Sequence, residues 1–238
     1  MKNYIFDLGF HNGDDTDYYL KKGYNVVAVE GNPQLYEQGC KRFSKDITDK
    51  KLFLYNNVIS DKKEPIPFYI HPFNLDWSSC TRNKVEWDGS TATEVIITPM
   101  NLYDLYKIYG VPYYIKTDIE GNDTILAKEL YDRIVAFRPK YVSFELARKD
   151  YYIIFSYLYV AGYTKFQLVN QANNNGKVDT QINYTFTKFS SGMFGEDLPQ
   201  HKWASFDETL TNYMKYKELK AIDNQELALG WVDIHATI

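Results

Sequence analysis

The sequence predicts an α/β fold with a mostly parallel sheet covered by helices on both faces, and three observations carry that prediction. Short apolar runs alternate with helix-length segments along the chain, the βαβα rhythm of a parallel sheet. Glycine-containing turns follow the apolar runs, as at Gly9 and Gly31, and acidic residues close several of them, as at Glu30 and Glu145. The length of 238 residues suits one full domain and is cramped for two independent ones.

Tyr4 to Leu8 reads as a short buried strand, followed by the turn Gly9-Phe-His-Asn-Gly13. A helix is expected from about Asp14 to Lys22, with Asp14 and Asp15 in its first turn, where carboxylates suit the helix dipole, and Gly23 closing it. Asn25 to Glu30 is the second strand, and Pro33 suits the first position of the second helix. Leu52 to Ile59 reads as the third strand. Residues 60–92 then break the rhythm with Pro65, Pro67, Pro72, Gly89 and a short alternating piece, Phe68 to His71, and read as an insertion with a small hairpin. Val95 to Thr98 is another short strand, and Leu102 to Tyr109 a helix stopped at Gly110. A strand from Val111 to Asp118 leads into Ile119-Glu-Gly-Asn-Asp123 and a helix to about Leu130. Tyr141 to Leu146 is the next central strand, Tyr151 to Ala161 a helix, and Lys165 to Asn170 and Ile182 to Thr187 the last two strands. A loop over 190–205, a polar helix to about Ala221 and a tail complete the reading, with residues 1–190 as the main domain and 191–238 as an extension packed on it.

Composition narrows the functions. Hydrophobic content of 45% and charged content of 24% are ordinary for a globular chain, and the net charge of −4 with no Lys/Arg run argues against a nucleic-acid partner. No stretch approaches the ~20 apolar residues of a membrane span. Cys40 and Cys80 lack metal-ligand spacing and read as reduced thiols, and the N-terminus has no apolar signal core, so the cytoplasm is the expected compartment. Aromatics reach 17%, led by 22 Tyr, which suits both core filling and stacking on rings.

In sheets of this kind, ligands bind beyond the carboxyl ends of the strands, where the strand order reverses. Four such ends carry notable residues. At the first, Gly9 and Gly13 permit a tight turn and the following helix offers free N–H groups. At the second, Glu30 can accept both hydroxyls of a ribose, and at a strand's wet end it is expected to contribute little to the core. Asp7, Asp14 and Asp15 near this turn would repel a pyrophosphate but suit a sulfonium and an ammonium group, which favours S-adenosylmethionine (SAM) over NAD. The third end, Lys116-Thr-Asp-Ile-Glu-Gly-Asn-Asp123, gathers three acids, which suit a metal ion, a proton or the SAM amino group; a solvated turn with a helix cap from Asn122 or Asp123 is the structural alternative. The fourth is Glu145, an acid in an apolar strand and expensive there unless paired or wet.

The blocks Asp-Leu-Gly-x-His-x-Gly-x-Asp-Thr (7–16), Val-Ala-Val-Glu-Gly-Asn-Pro (27–33), Tyr-Ile-Lys-Thr-Asp-Ile-Glu-Gly-x-Asp (114–123) and Val-Ser-Phe-Glu (142–145) resemble, in the same order, those of the FkbM family of SAM-dependent methyltransferases. The resemblance covers roughly residues 3–190, and the tail, with Ser191-Gly-Met-Phe-Gly-Glu-Asp197 and Trp231-Val-Asp-Ile-His-Ala236, also looks like some members. It implies a Rossmann-like SAM-methyltransferase fold with a mostly parallel seven-stranded sheet, and O-methylation of a hydroxyl on a sugar, glycan or natural product. It implies Asp7, Gly9, His11, Gly13, Thr16, Glu30, Gly31 and Asn32 as SAM-site positions, with Asp118 beside the methionine end. The acceptor-side residues do not carry over, and residues 60–92 match no block of the family.

An alcohol is a poor nucleophile, so a base or a metal must help remove its proton. His11 and Asp118 are the first candidates, followed by Glu120 and Glu145; Asp118, Glu120 and Asp123 are the candidate ligands of a divalent ion. His11 as a residue that only shapes the pocket is the alternative. His201 and His235 read as surface histidines of the tail, and His71 has nothing beside it to suggest a role. The competing functions are a non-catalytic SAM-fold partner protein and an NAD-linked enzyme.

Overall fold

The computed structural model describes residues 4–132, 137–146, 151–222 and 230–238. Seven strands form the central sheet: β1 (Tyr4–Leu8), β2 (Asn25–Val29), β3 (Leu52–Tyr55), β4 (Tyr114–Thr117), β5 (Tyr141–Glu145), β6 (Lys165–Asn170) and β7 (Val232–Thr237). Their order is β6-β7-β5-β4-β1-β2-β3, and all are parallel except β7, which runs antiparallel between β5 and β6. The fold is therefore Rossmann-like α/β with a seven-stranded, mostly parallel sheet. Strand order reverses between β1 and β4, the place where such sheets open a crevice.

Both faces are covered, and the alternation of side chains along each strand explains how. Phe6, Leu8, Val27, Val29, Ile115, Val142 and Phe144 point to one face, against Leu102, Leu105, Leu126, Leu130, Ile154, Phe155 and Leu158 of the helices Leu102–Tyr109, Asp123–Asp132 and Tyr151–Val160. Ile5, Val26, Ala28, Tyr114 and Tyr141 point to the other, against Tyr18 and Tyr19 of helix Asp14–Lys21, with Phe43 and Phe194. Pro33 opens the helix Pro33–Arg42, whose Asn32 cap accepts the Gln34 N–H. Among the described residues no helix is long and apolar enough to cross a membrane.

Three expectations are corrected. Ile182–Thr187 is not a strand of the central sheet: Tyr184–Thr185 pairs with Val178–Asp179 in a separate small hairpin. The seventh strand is Val232–Thr237, within the stretch expected to be a tail. Val232, Ile234 and Ala236 alternate strictly with Asp233, His235 and Thr237, a strand pattern, but one flanked by a polar helix at the far end of the chain, and its polar side is buried rather than wet. The insertion's hairpin is also longer than expected, because Ile66–Ile70 pairs antiparallel with Thr93–Ile97.

Candidate functional site

The turn after β1 must approach the turn after β4 closely, and glycine makes that possible. Gly9 has φ +92°, and a Cβ there would lie 1.7 Å from the Asp118 carbonyl oxygen. The Gly9 and Phe10 N–H groups both donate to the Val29 carbonyl, which draws the turn across the end of β2. Beyond these ends lies a cavity of about 290 Å³ to which every strand end contributes: Gly9 and His11 after β1, Glu30 and Gly31 after β2, Val58 and Ile59 after β3, Asp118 and Glu120 after β4, Glu145 on β5, Gln171 after β6 and Trp231 before β7. Its position at the reversal of strand order, and its mix of apolar walls and a few convergent polar groups, are those of a small-molecule site.

Glu30 is buried, and its two oxygens accept the His11 and Asn32 N–H groups, each at 2.7 Å. Burial pushes its carboxyl up to about 7, against the pull of those two hydrogen bonds. It is thus a structural clamp between two turns as well as a cavity-lining carboxylate, which corrects the expectation that it contributes little to the fold. Asp15 also lines the cavity, accepts the Ser191 N–H at 2.7 Å, and is pushed up to about 7 by burial.

Lys116 is buried at the centre. Its ammonium donates to the Gly9 carbonyl at 2.8 Å and lies 3.7 Å from Asp7, 3.7 Å from Asp118 and 3.9 Å from Asp15. Burial by itself would lower its pKa, but Asp118, Asp7 and Asp15 together hold it above the ordinary lysine value. A charged lysine inside this ring of acids sets the shape of the cavity floor.

Asp118, Glu120 and Glu145 offer oxygens that all lie within 4.8 Å of one another. Burial, with Asp118 next, pushes Glu120 up to about 7, and burial with Asp118 and Glu120 holds Glu145 well above its usual range. Asp118 follows Thr117, whose partner is Phe144, so Asp118 comes beside Glu145, and Glu145 in turn pairs with Asp233 on β7. Asp233 is buried with one oxygen unpaired and the other bonded to Gln171. This row of acids across three adjacent strands gathers more carboxyls at the β4–β5 end of the cavity than can ionise together, so burial and mutual repulsion keep protons on part of the row until a cation enters.

His11 and Glu120 are non-glycine residues with φ of 51° and 52°, a conformation costly for side-chain-bearing residues and found at sites where geometry is imposed. The His11 ring meets Phe189 edge-on at 5.1 Å, and burial lowers its pKa, so it is neutral at pH 7.

Of the residues marked from the sequence, Gly9, His11, Glu30, Gly31, Asp118, Glu120 and Glu145 line the cavity. Asp7, Gly13, Thr16 and Asn32 do not. The buried Asp7 accepts the Thr16 hydroxyl at 2.6 Å beneath the floor, Gly13 is walled by Phe10 and Phe43, and Asn32 caps its helix. Asp123 is also corrected: its carboxylate accepts the Ile119 and Gly121 N–H groups and closes its own turn, while Glu145 takes its place in the acidic cluster. The Asn122 side chain donates to the Ile59 carbonyl at 2.8 Å, while its main-chain carbonyl accepts the Ile125 and Leu126 N–H groups at the start of the helix. His235 is buried on β7, not on the surface, and burial lowers it to about 3, which keeps it neutral. Asp76, Trp77, Phe189 and Gln171 line the cavity without having been marked, since only long-range packing brings them there.

No family model and no curated protein matches the chain. Among solved structures, the chain is similar to precorrin-6y C5,15-methyltransferase from Geobacter metallireducens GS-15, at 11% identity and TM-score 0.41 over 99% of this chain and 78% of that one. It is similar to an O-methyltransferase from a trans-AT PKS multienzyme of Brevibacillus brevis, in complex with S-adenosyl-L-homocysteine, at 10% identity and TM-score 0.39 over 99% and 66%. It is also similar to Haemonchus contortus phosphoethanolamine N-methyltransferase 2, in complex with SAM, at 11% identity and TM-score 0.39 over 100% and 49%. All three are methyltransferases, yet likeness this remote carries no argument about chemistry; the fold rests on the sheet order itself.

Proposed function

We propose that this chain is a SAM-dependent methyltransferase acting on a hydroxyl of a sugar, glycan or natural product, as its resemblance to the FkbM family implies. The observation that carries the reading is the cavity at the β1/β4 reversal, with the Glu30 carboxylate at one end and the acids Asp118, Glu120 and Glu145 at the other. Glu30 keeps a further lone pair on each oxygen for a ribose diol. The acidic end suits a sulfonium and an ammonium group and disfavours a pyrophosphate.

SAM, when bound, would supply a methyl group that passes to an acceptor oxygen while its bonding electrons stay on sulfur; Glu30 would hold its ribose, and the acceptor's hydroxyl proton would leave to a base of this chain. Holding the oxygen in line with the methyl group supplies much of the acceleration. Asp118 serves the methionine end and the proton, and the neutral His11 is the second base candidate. The oxygen-only donors of Asp118, Glu120 and Glu145 also suit a hard divalent ion, which would acidify the hydroxyl. The test is calorimetry with SAM, S-adenosylhomocysteine and NADH, followed by methyl transfer to a panel of glycosides. Micromolar SAM binding with far weaker NADH binding is the expected result, and no SAM binding would end the reading.

A further inference from the structure

The insertion after β3 carries aromatic side chains that its own packing leaves exposed. Phe73 is 82%, Trp87 66% and Trp77 36% exposed, and Trp77 lines the cavity. The loop that carries Trp77 is nevertheless firmly built. His71, without a marked role in the sequence, is fully buried beneath it. Its Nδ1 accepts the Phe73 N–H at 3.2 Å and the Asn74 N–H at 2.9 Å. Two donors at Nδ1 leave the ring proton on Nε2, which faces Asp88 and Ser90, each at 3.2 Å. One imidazole thus joins both ends of the insertion's aromatic segment. Trp77 meets the His71 ring edge-on at 5.2 Å and Trp87 at 5.4 Å.

The far end of the loop is anchored on the turn after β4. The Ser79 hydroxyl donates to the Glu120 carbonyl and the Lys84 ammonium to the Glu120 carboxylate, both at 2.6 Å. Near its middle, Asp76 lines the cavity and its charge acts on His11. The segment therefore spans from the turn after β1 to the turn after β4, as a roof over the strand ends.

We infer that this roof is the acceptor-selecting wall, that Trp77 is the face on which the acceptor's ring lies, and that His71 is the positioning residue that sets it. The inference rests on the methyltransferase reading, because it assigns the roof side of the cavity to the second substrate. An indole face is electron-rich and takes the polarised C–H face of a saturated ring. Asp76, Glu120, Asn122 and Gln171 around the same cavity supply acceptors and donors for that ring's hydroxyls. The occupant that fits both is a hydroxylated saturated ring.

Saturation-transfer NMR with methyl α-D-glucopyranoside, on the full chain with and without S-adenosylhomocysteine, tests the assignment. Ring C–H signals are expected for the unaltered protein, lost in Trp77→Ala and kept in Trp77→Phe. His71→Ala should lose them, and His71→Asn, whose carbonyl can take over the Nδ1 contacts, should recover them. SAM calorimetry on the same samples keeps the two readings apart: affinity within about threefold of the unaltered protein in every variant, at the precision tenfold per 1.4 kcal/mol implies, leaves the cofactor site intact. No glycoside signal in the unaltered protein, or undiminished signal in Trp77→Ala, overturns the inference even where SAM binds. Glycoside signals that follow the Trp77 series in a protein that binds no SAM support the ring platform and overturn the methyltransferase reading alone.

Discussion

Replacing Glu30 by glutamine separates the two roles of that carboxylate. Its oxygens each accept one backbone N–H at 2.7 Å, from His11 and from Asn32. Glutamine keeps the shape but offers one oxygen and one NH₂, so one of the two N–H donors must face another donor. A hydrogen bond to a charged group contributes about 1.5–3 kcal/mol. Removing the charge returns part of this, because burial opposes ionisation strongly enough to push the carboxyl up to about 7. The net expectation is a loss of about 1–2 kcal/mol, or roughly 2–8 °C in Tm for a chain of this size. SAM affinity falls separately, since one ribose acceptor and the charge are gone; a loss of about 1.4–2.7 kcal/mol raises Kd roughly 10- to 100-fold. Thermal unfolding by circular dichroism and calorimetry with SAM read the two effects independently. A lower Tm with SAM affinity unchanged within twofold would make Glu30 a turn clamp only and refute the ribose assignment. An unchanged Tm would refute the clamp.

Gly9→Ala should abolish detectable SAM binding, because its Cβ would meet the Asp118 carbonyl at 1.7 Å and the main chain must move; affinity within threefold of the unaltered protein would show that this contact does not set the cavity floor. Raised carboxylate pKa values fix the sign of a pH effect: Glu30 and Asp15, both pushed up to about 7, hold protons in the folded chain that the unfolded chain has released. Ligand-free stability should therefore fall as pH rises from about 4.5 to 7 and level off above, while SAM affinity rises over the same interval; Tm and calorimetry against pH check both, with Glu30→Gln expected to flatten part of the Tm slope. Asp118→Asn should cut turnover by ~10²-fold or more on a confirmed acceptor, and near-normal turnover would move the chemistry to His11. If the acidic cluster works through a divalent ion, chelation should abolish turnover and Mn²⁺ restore it, and Glu145→Gln should weaken Mn²⁺ binding seen by electron paramagnetic resonance; activity indifferent to chelator would remove the ion from the mechanism.

Where the sequence was informative, the signal was local. Apolar runs of strand length, Gly23 and Gly110 at helix ends and Pro33 at a helix start are properties of neighbouring residues, and β1 to β6 and their helices could be read from them. β7 alternates too, but its place in the sheet is a long-range fact: Val232, Ile234 and Ala236 join one core, while Asp233 and His235 on the other side are buried against Gln171 and the ring of Tyr114, where local pattern would put water. The strand ends of the site were legible by the same local logic, but the side on which a residue falls was not. Asp7 and Gly9 are two residues apart, yet one lies beneath the floor and the other forms it. Asp123 and Glu145 exchanged places for a related reason: a carboxylate two residues after a turn N–H closes that turn first, as Asp123 does with Gly121, whereas Glu145 comes beside Asp118 only through the pairing of β4 with β5. The roof was illegible throughout, since His71, Trp77 and Ser79 acquire their neighbours only through the folded insertion.

The antiparallel β7 also bears on the order in which the molecule can assemble. β6 meets the sheet through β7, and β7 comes more than sixty residues later in the chain, at Val232 against Lys165. β1 to β5 can zip into a five-stranded parallel sheet on their own, but β6 has to wait, its backbone edge open, until β7 slots in beside β5. β6 and β7 thus form one late, cooperative unit of high contact order. A nascent chain carries that exposed edge until the whole downstream segment is free to fold, and this is the interval in which a chaperone, or aggregation, has its opening.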